Sequence, residues 1–319
     1  MNRPAISEII TTTLRDRSGD FYDNVTSNNA LLTILKNRGL IQTSSGGRVI
    51  SKPLYYAENS NFNYYSGGET LDISAANVIT MAEYDWVQAA VNVTMTGLEE
   101  RQNSGENALL NLVVAKVENA KATMSNNICN GLYSDGTGSN GKEIGGLQLL
   151  VADDPTTGTV GGLDRATQTW WRNKVYDASV EGVTLSSSTI QTAMNSLYLD
   201  LIRGNDKPDL IVSSTDYYTF YEDSVQSRER FVDENMASVG FENYKYKSAT
   251  VVPENNSGFP TSRMYMLNTK YIGLEAHKDA NMTPNDAKES VNQDGFVIPI
   301  LWMGNMCLTN ASLQGVILP

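Results

Sequence analysis

Apolar and polar residues alternate with a period of two along residues 87–97. Apolar side chains occupy every odd position from Val87 to Met95, and mostly polar residues lie between them. This pattern predicts a strand with one apolar and one polar face. Residues 48–56 are the expected partner strand, so the sequence predicts a long hairpin whose middle, residues 59–68, is polar and rich in tyrosine. Because a two-stranded hairpin is marginal alone in water, it requires the chain's own core or a neighbouring copy to lie on.

The strongest helical pattern covers residues 106–130. Apolar side chains recur every three or four positions from Leu109 to Ile128, which predicts a helix roughly 38 Å long. Shorter helices are predicted over residues 5–17 and 27–38. Few apolar residues flank these two helices, so we expect them to form an arm outside the core.

Residues 144–262 mix helix and strand patterns. A helix is predicted over residues 189–202, and a short buried strand over residues 208–214 is followed by a helix that begins near Thr215. A strand followed directly by a helix is typical of an α/β layer. Residues 263–278 and 295–318 are predicted strands, so the chain as a whole belongs to the α+β class.

Length, charge and cysteine usage narrow the class of protein. The chain has 319 residues, 40% of them hydrophobic, which suggests about two folded domains. It contains no apolar run of membrane-spanning length and no signal-peptide pattern, so we expect a cytoplasmic product. Residues 1–52 contain seven basic and four acidic residues, while the whole chain has a net charge of −12. An acidic body disfavours tight nucleic-acid binding. The only two cysteines, Cys129 and Cys307, are expected to be buried thiols.

No motif in the sequence indicates catalysis, a cofactor or a metal. His277 is the only histidine, so neither a metal cluster nor a catalytic triad can be assigned on histidine spacing. The glycine pairs do not form a dinucleotide or phosphate-binding loop. We therefore expect no cofactor, no metal and no catalytic residues.

Aromatic residues and arginines are concentrated in the segment GGLDRATQTWWRN, residues 161–173. Two of the four tryptophans, Trp170 and Trp171, lie here between Arg165 and Arg172. Tyrosine doublets, among them Tyr64 and Tyr65 in the predicted hairpin, add further rings. Tyr, Trp and Arg are common anchors of protein interfaces. The Trp–Arg segment is therefore either a packing and ion-pair cluster that holds a loop against a helix or a neighbouring subunit, or part of this chain's own core with solvated arginines.

The order of these elements resembles a known family of shell proteins. A helical arm, a long hairpin, a long helix, an α/β section and C-terminal strands resemble the major capsid protein of tailed bacteriophages, the Hong Kong 97-type fold. The segments IGGLQLLV, GGLDRATQTWWRN, PDLIVSSTDYYTFY and VIPILWMGN are also similar to segments of phage capsid subunits. None of the four is a catalytic signature, and their order carries the resemblance.

The resemblance implies a domain map and a set of partners. Residues 1–48 would be an N-terminal arm, 49–97 an extended E-loop, and 98–145 the spine helix of a P-domain. Residues 146–262 would form an A-domain and 263–319 would return to the P-domain. The chain would assemble with itself in hexamers and pentamers around double-stranded DNA, with possible scaffolding, portal and decoration proteins. Tyr64, Tyr65, Arg165, Trp170, Trp171 and Arg172 are the assembly candidates.

Some capsid proteins of this family join an E-loop lysine to an asparagine of an adjacent subunit. Here Lys52 is the only lysine in residues 49–97, and it lies at the base of the predicted hairpin. Seven strand residues alone would place it roughly 23 Å from the tip. We therefore expect a shell without covalent cross-links.

Three alternatives remain open from the sequence. An encapsulin-type compartment would share the fold but enclose protein cargo. A hydrolase of mixed α/β fold would use Asp and Ser residues that the sequence does not identify. A β-rich tail or fibre component is the third.

Overall fold

The computed structural model describes residues 30–71, 73–102, 106–226, 244–289 and 294–319. The helix predicted over residues 5–17 lies outside the described residues. The described helices are α1 (Ala30–Asn37), α2 (Gly97–Gln102), α3 (Glu106–Gly131), α4 (Gly138–Gly141), α5 (Leu147–Leu150), α6 (Ile190–Asp200) and α7 (Thr215–Gln226). The described strands are β1 (Ile41–Ser44), β2 (Ile50–Tyr55), β3 (Ile79–Tyr84), β4 (Val87–Thr96), β5 (Thr159–Val160), β6 (Leu163–Asp164), β7 (Lys174–Asp177), β8 (Leu210–Ser213), β9 (Tyr244–Tyr246), β10 (Ala249–Pro253), β11 (Met264–Leu267), β12 (Ile272–Pro284), β13 (Lys288–Glu289), β14 (Gly295–Leu308) and β15 (Gly315–Leu318).

A five-stranded sheet is built around the long strand β14. One edge of β14 pairs with β12 and β13. The other edge pairs with the full length of β4, from Gly295 opposite Thr96 to Gly304 opposite Val87. β1 extends the sheet by pairing in parallel with β12. The long helix α3 packs against β4 through the predicted apolar stripe, of which Val113, Val117, Ala120, Met124 and Ile128 are buried.

A six-stranded sheet has the order β7-β15-β11-β8-β10-β9. Its central strand β8 is buried on both faces, because Leu210 and Val212 pack into the larger core while Ile211 packs under helices α6 and α7. Burial on both faces explains the continuous apolar run in the sequence, as expected for an interior strand. The predicted helix over residues 189–202 and the helix after β8 are both confirmed, with bounds Ile190–Asp200 and Thr215–Gln226.

The hairpin pairs differently from the prediction. The strand at 87–96 forms as expected, but its partner is β14, not residues 48–56. The hairpin consists of β2 and β3, with Ile50 opposite Tyr84 and Tyr55 opposite Ile79. Alternation specifies which side chains share a face but not which strand lies alongside. The short Asp85–Trp86 connection ends β3 and directs β4 into the five-stranded sheet.

The helix expected to belong to an arm is part of the core in this chain. Helix α1 lies within the predicted range 27–38, and its Leu31 and Leu35 are completely buried. They pack in the larger hydrophobic cluster with residues distant in sequence. The expectation that this helix lies outside the core was therefore wrong. It was based on the neighbouring sequence, whereas the apolar partners of the helix come from distant parts of the chain.

Residues 263–319 contribute to both sheets. Strands β11 and β15 lie in the six-stranded sheet, whereas β12 and β14 form the centre of the five-stranded one. The five-part domain map remains a prediction. In the part of the chain that the structure describes, no helix is long and apolar enough to cross a bilayer.

Candidate functional site: the hairpin and the tryptophan loop

The hairpin, residues 50–84, has one buried and one exposed face near its base. Ile50, Leu54, Ala82 and Tyr84 face the chain's own core and are buried. The opposite face carries the cross-strand pairs Pro53–Met81 and Tyr55–Ile79; all four side chains are exposed. A strand face made of apolar cross-strand pairs is normally covered by another element.

The tip of the hairpin, residues 56–78, exposes further rings and aliphatic side chains. Tyr64 is 93% exposed and Tyr65 66%, and Phe62 contacts Tyr64 edge-on with ring centroids 5.2 Å apart. The exposed large apolar side chains of the whole hairpin are Tyr55, Tyr56, Phe62, Tyr64, Tyr65, Leu71, Ile73, Ile79 and Met81. Single exposed apolar residues are common, but a concentration of this kind on one hairpin is typical of an interaction surface.

Trp171 fills the core of the tryptophan loop, residues 158–173. Its ring is 1% exposed, and its Nε1–H donates to the carbonyl oxygen of Val160 at 3.0 Å. Trp170 lies beside it, with ring centroids 5.4 Å apart, and donates to Gln168 Oε1 at 2.8 Å. Buried indoles usually find such an acceptor. Trp171 leaves no surface for a neighbouring subunit, so the expectation of an interface role is wrong for this residue.

Arg165 is also inside the chain, with 1% of its surface exposed. Its guanidinium donates to the carbonyl oxygens of Leu149 at 3.1 Å and Leu150 at 2.5 Å, at the end of helix α5. A cation is favoured at a helix C-terminus, although burial lowers the pKa of this guanidinium. An interface role is therefore wrong for Arg165 as well.

Arg172 completes the loop from its half-buried position. It donates from Nε to the carbonyl oxygen of Arg165 at 2.7 Å and from Nη2 to that of Ala166 at 2.9 Å. Arg165 and Arg172 both bind backbone carbonyls, and among the described residues neither forms an ion pair with a carboxylate. The expected ion-pair cluster is therefore replaced by a set of backbone bonds that hold the loop's shape.

The hairpin is attached to the tryptophan loop at its base and at Tyr56, where the tip begins. The Tyr56 and Trp170 rings lie 5.7 Å apart at 31°, and the Glu83 N–H donates to the Gly161 carbonyl at 2.9 Å. Gly161 has a φ of +59°, and a Cβ there would lie 3.0 Å from Ala82 and from the Tyr84 ring. The close approach and the left-handed backbone both favour glycine.

Tyr84 and Lys52 fix the hairpin base to strands β14 and β12, respectively. The Tyr84 hydroxyl donates to the Leu308 carbonyl at 2.8 Å and accepts from the Leu308 N–H at 3.1 Å; burial raises the pKa of this hydroxyl well above its ordinary value. Lys52 forms an ion pair with Glu275 of β12 and donates to Gln42 Oε1 at 3.1 Å.

Four of the six sequence candidates therefore come together, and two lie apart. Arg165, Trp170, Trp171 and Arg172 form one loop, while Tyr64 and Tyr65 are at the hairpin tip. The sequence analysis missed Gly161, Tyr84 and the exposed Ile79–Met81 strand. No local signal identified this strand. In the segment ITMAEY, residues 79–84, apolar and polar residues occur on both faces, so the sequence shows no clear period-two alternation.

The described residues contain no cluster of three or more His, Cys, Asp or Glu side chains that could hold a metal ion. Cys129 and Cys307 are buried, and burial raises the pKa of each thiol to about 12. Thiols of this kind are protonated at neutral pH and unreactive.

Comparison with known proteins finds similarity in three-dimensional structure but none in sequence. No family model and no curated protein sequence matches the chain. Among solved structures it is similar to a chain of the cyanophage A-1(L) capsid asymmetric unit, with 15% identity, 92% coverage of both chains and a TM-score of 0.63. The chain has a phage capsid fold. The capsid of the native GTA particle matches with 8% identity, 88% coverage of both chains and a TM-score of 0.56. The satellite phage P4 procapsid, which includes the size determination (Sid) protein, matches with 11% identity, coverage of 94% of this chain and 90% of that chain, and a TM-score of 0.51.

The capsid fold confirms the α+β class and, at the level of the fold, the resemblance to phage capsid subunits. The match with the cyanophage capsid chain covers 92% of this chain, so most of the chain takes part in it. At these identities the likeness speaks for the fold alone.

Proposed function

We propose that this chain is the major capsid protein of a tailed bacteriophage, of the Hong Kong 97 type. In this role it assembles in hexamers and pentamers into an icosahedral virion shell around double-stranded DNA. The observation that carries the proposal is the structural likeness to the cyanophage A-1(L) capsid chain over 92% of both chains. The role is structural, and no catalytic residue or cofactor takes part in it.

The hairpin supports the proposal because its two ends have different surroundings. Its base is held by Gly161, Lys52 and Tyr84 contacts within the chain. Its tip and outer face expose apolar side chains. An element that is anchored at one end and exposes aromatic rings at the other suits contact with a neighbouring copy, which would cover Tyr64 and Tyr65.

The charge of the chain suits a container for DNA. The net charge is −12, and tight phosphate binding requires clustered Lys and Arg. A shell that encloses DNA without binding its sequence has no need of such a surface. Separate scaffolding, portal and decoration proteins are further proposed partners, and the chain would be made in the host cytoplasm.

Electron microscopy of the purified full-length chain tests the proposal. We expect closed shells of uniform diameter, and double-stranded DNA inside particles isolated from infected cells. Rods would indicate a tail component, and discrete monomers under all assembly conditions would contradict a shell protein. Shells that enclose protein instead of DNA would replace the phage assignment with an encapsulin-type compartment.

Substitution of the hairpin tip tests the contact itself. The double variant Tyr64→Ser, Tyr65→Ser should fail to form shells while its free energy of unfolding stays unchanged, because both rings are exposed in the single chain. The matched control, Asn63→Ala, alters an exposed polar residue of the same tip and should assemble normally. In hydrogen exchange, residues 56–78 should exchange rapidly in the unassembled chain and slowly in the shell. Equal protection in both states would show that neighbours do not cover the tip.

A further inference from the structure

The chain crosses between its two sheets at two places, and buried amides join these crossings. The first crossing, residues 268–271, connects β11 to β12, and the second, residues 309–314, connects β14 to β15. The Asn268 N–H donates to Gln314 Oε1 at 2.9 Å, and Gln314 Nε2 donates to the Asn268 carbonyl at 3.1 Å. Both residues are buried. The two crossings therefore form one joint between the sheets, and the contact at its centre is uncharged.

Asp209, the residue before β8, binds the first crossing. Its Oδ1 accepts from the Thr269 N–H at 3.0 Å, and its Oδ2 accepts from the Thr269 hydroxyl at 3.0 Å. Its backbone N–H donates to the Leu267 carbonyl at 2.9 Å, and its carbonyl accepts from the Thr250 N–H at 3.2 Å. Asp209 is therefore fixed to β11 and β10 by its backbone and to the crossing by its carboxylate.

A segment that precedes the hairpin reaches the same carboxylate. Residues 30–44, here called the strap, comprise α1, β1 and the connection between them. β1 pairs in parallel with β12 of the five-stranded sheet. Arg38, just after α1, forms an ion pair with Asp209 and also donates to the Thr269 hydroxyl. The strap therefore contacts the five-stranded sheet by strand pairing and the start of β8 in the six-stranded sheet by an ion pair.

The strap is also packed in the core, but apolar packing does not select an orientation. Leu31 and Leu35 of α1 are completely buried in the larger hydrophobic cluster, which contains Leu210 of β8 and Leu274 of β12. Hydrophobic burial is non-directional, whereas hydrogen bonds and charge-assisted pairs have preferred geometries. Directional contacts such as those at Asp209 are therefore needed to hold the two sheets at one angle.

We propose that the strap is a salt-sensitive latch that holds the two sheets in one orientation, with the Arg38–Asp209 pair as its lock. The Arg38 side chain is 43% exposed and that of Asp209 23%, so dissolved ions reach the pair and screen it. The Asn268–Gln314 contact has no net charge to screen. High ionic strength therefore loosens the strap while the joint and the core stay intact.

Hydrogen exchange of the full-length, unassembled chain tests the lock. In Arg38→Gln, amides of Ile41–Ser44 should exchange about two- to fivefold faster than in the original chain, the change expected for loss of a partly exposed ion pair. Lys270→Gln is the matched control, because it removes an exposed cation that pairs with Asp206 on the first crossing. It should leave the β1 amides unchanged. Unchanged β1 exchange in Arg38→Gln, or equal acceleration in both variants, would overturn the proposal.

Salt separates the ion pair from other effects of the substitution. As sodium chloride rises from about 0.05 M to about 0.5 M, screening of exposed charges becomes nearly complete over the length of a side chain. The β1 amides of the original chain should then approach the exchange rate of Arg38→Gln, whose own rate should stay constant. A salt response of equal size in Arg38→Gln would assign the effect to other charges and contradict the lock.

A distance between spin labels reports the orientation of the sheets. Ala90 in β4 and Lys245 in β9 are exposed and lie one in each sheet, so Ala90→Cys and Lys245→Cys supply the labelling positions. The two native thiols are buried, with pKa values raised to about 12, and stay unlabelled. The distance distribution should be narrow at low salt and broader when Arg38→Gln is added. An equally narrow distribution in both chains would show that the pair does not set the orientation. The inference concerns the single chain and stands or falls independently of the proposed capsid role.

Discussion

At the residue scale, burial separates the two adjacent tryptophans. Trp171 is enclosed and hydrogen-bonded to the Val160 carbonyl. Trp170 is half-buried and contacts the Tyr56 ring. The sequence predicts that two rings and two cations lie together, because they are neighbours in the chain. It cannot predict which ring points inward, since that depends on the left-handed turn at Gly161 and on strands far away in sequence.

Trp171→Ala should destabilise the chain strongly. Removing a fully buried large ring costs about 3–5 kcal/mol, because transfer free energy is lost and a cavity remains. Urea unfolding measures this change. Trp170→Ala is the matched control and should cost less, since its ring already contacts solvent. Equal losses in the two variants would show that burial does not distinguish the rings.

Glu254 should make stability depend on pH in a recognisable direction. Burial raises the pKa of Glu254 above its ordinary value, against the opposing effect of its hydrogen bonds from the Tyr133 hydroxyl at 2.5 Å and the Asn256 N–H at 3.2 Å. The folded chain therefore binds this proton more tightly than the unfolded chain. The contribution of Glu254 to the free energy of unfolding therefore declines as pH rises above the ordinary glutamate pKa.

Glu254→Gln removes that decline. The free energy of unfolding of the variant, minus that of the original chain, should increase from about pH 4 to about pH 7. Glu99→Gln is the control of opposite sign, because hydrogen bonds from Lys116 lower the pKa of Glu99. The same trend in both variants would refute the assignment to Glu254.

At the element scale, periodicity predicted helices better than strand partners. The helix expected over residues 106–130 is observed as Glu106–Gly131, because its apolar stripe from Leu109 to Ile128 is local and repeats over about five turns. The strand at 87–96 was also correct, but the hairpin partner was wrong. Pairing depends on β14, some 200 residues further along the chain, and no local pattern in β4 identifies such a partner.

The contact between the hairpin and the tryptophan loop depends on Gly161. Gly161→Ala should destabilise the chain more than Gly162→Ala. Both glycines have positive φ values, +59° and +72°, but a Cβ at Gly162 would meet no atom within 4 Å. Each substitution bears the left-handed backbone cost of about 1–2 kcal/mol. Gly161→Ala adds an overpacking cost of about 1–3 kcal/mol against Ala82 and Tyr84. Thermal unfolding of the pair measures the difference, and equal melting temperatures would mean that the hairpin moves aside freely.

At the scale of the whole molecule, the resemblance in the order of elements predicted a phage capsid fold, although the hairpin pairing and the arm were predicted wrongly. The capsid likeness extends over 92% of the chain although only 15% of residues are identical, so the arrangement of sheets and helices carries the similarity. Domain bounds are harder to predict from sequence, because one continuous segment, residues 263–319, supplies strands to both sheets. The same dispersed contacts explain why α1, expected in an arm, packs in the core: the partners of Leu31 and Leu35 are distant in sequence.

The assembled shell should be free of covalent cross-links between subunits. A lysine that forms an isopeptide bond must be accessible to a neighbour and must lose its proton. Lys52 is the only lysine in residues 49–97. It lies at the base of the hairpin, paired with the buried carboxylate of Glu275 and bonded to Gln42. The tip instead offers Tyr64 and Tyr65, which suit non-covalent contacts. Mature particles boiled in detergent and reductant should therefore run as one band near 35.0 kDa. A ladder of multimers would contradict this prediction, and its loss in Lys52→Arg, which keeps the charge, would then identify the lysine responsible.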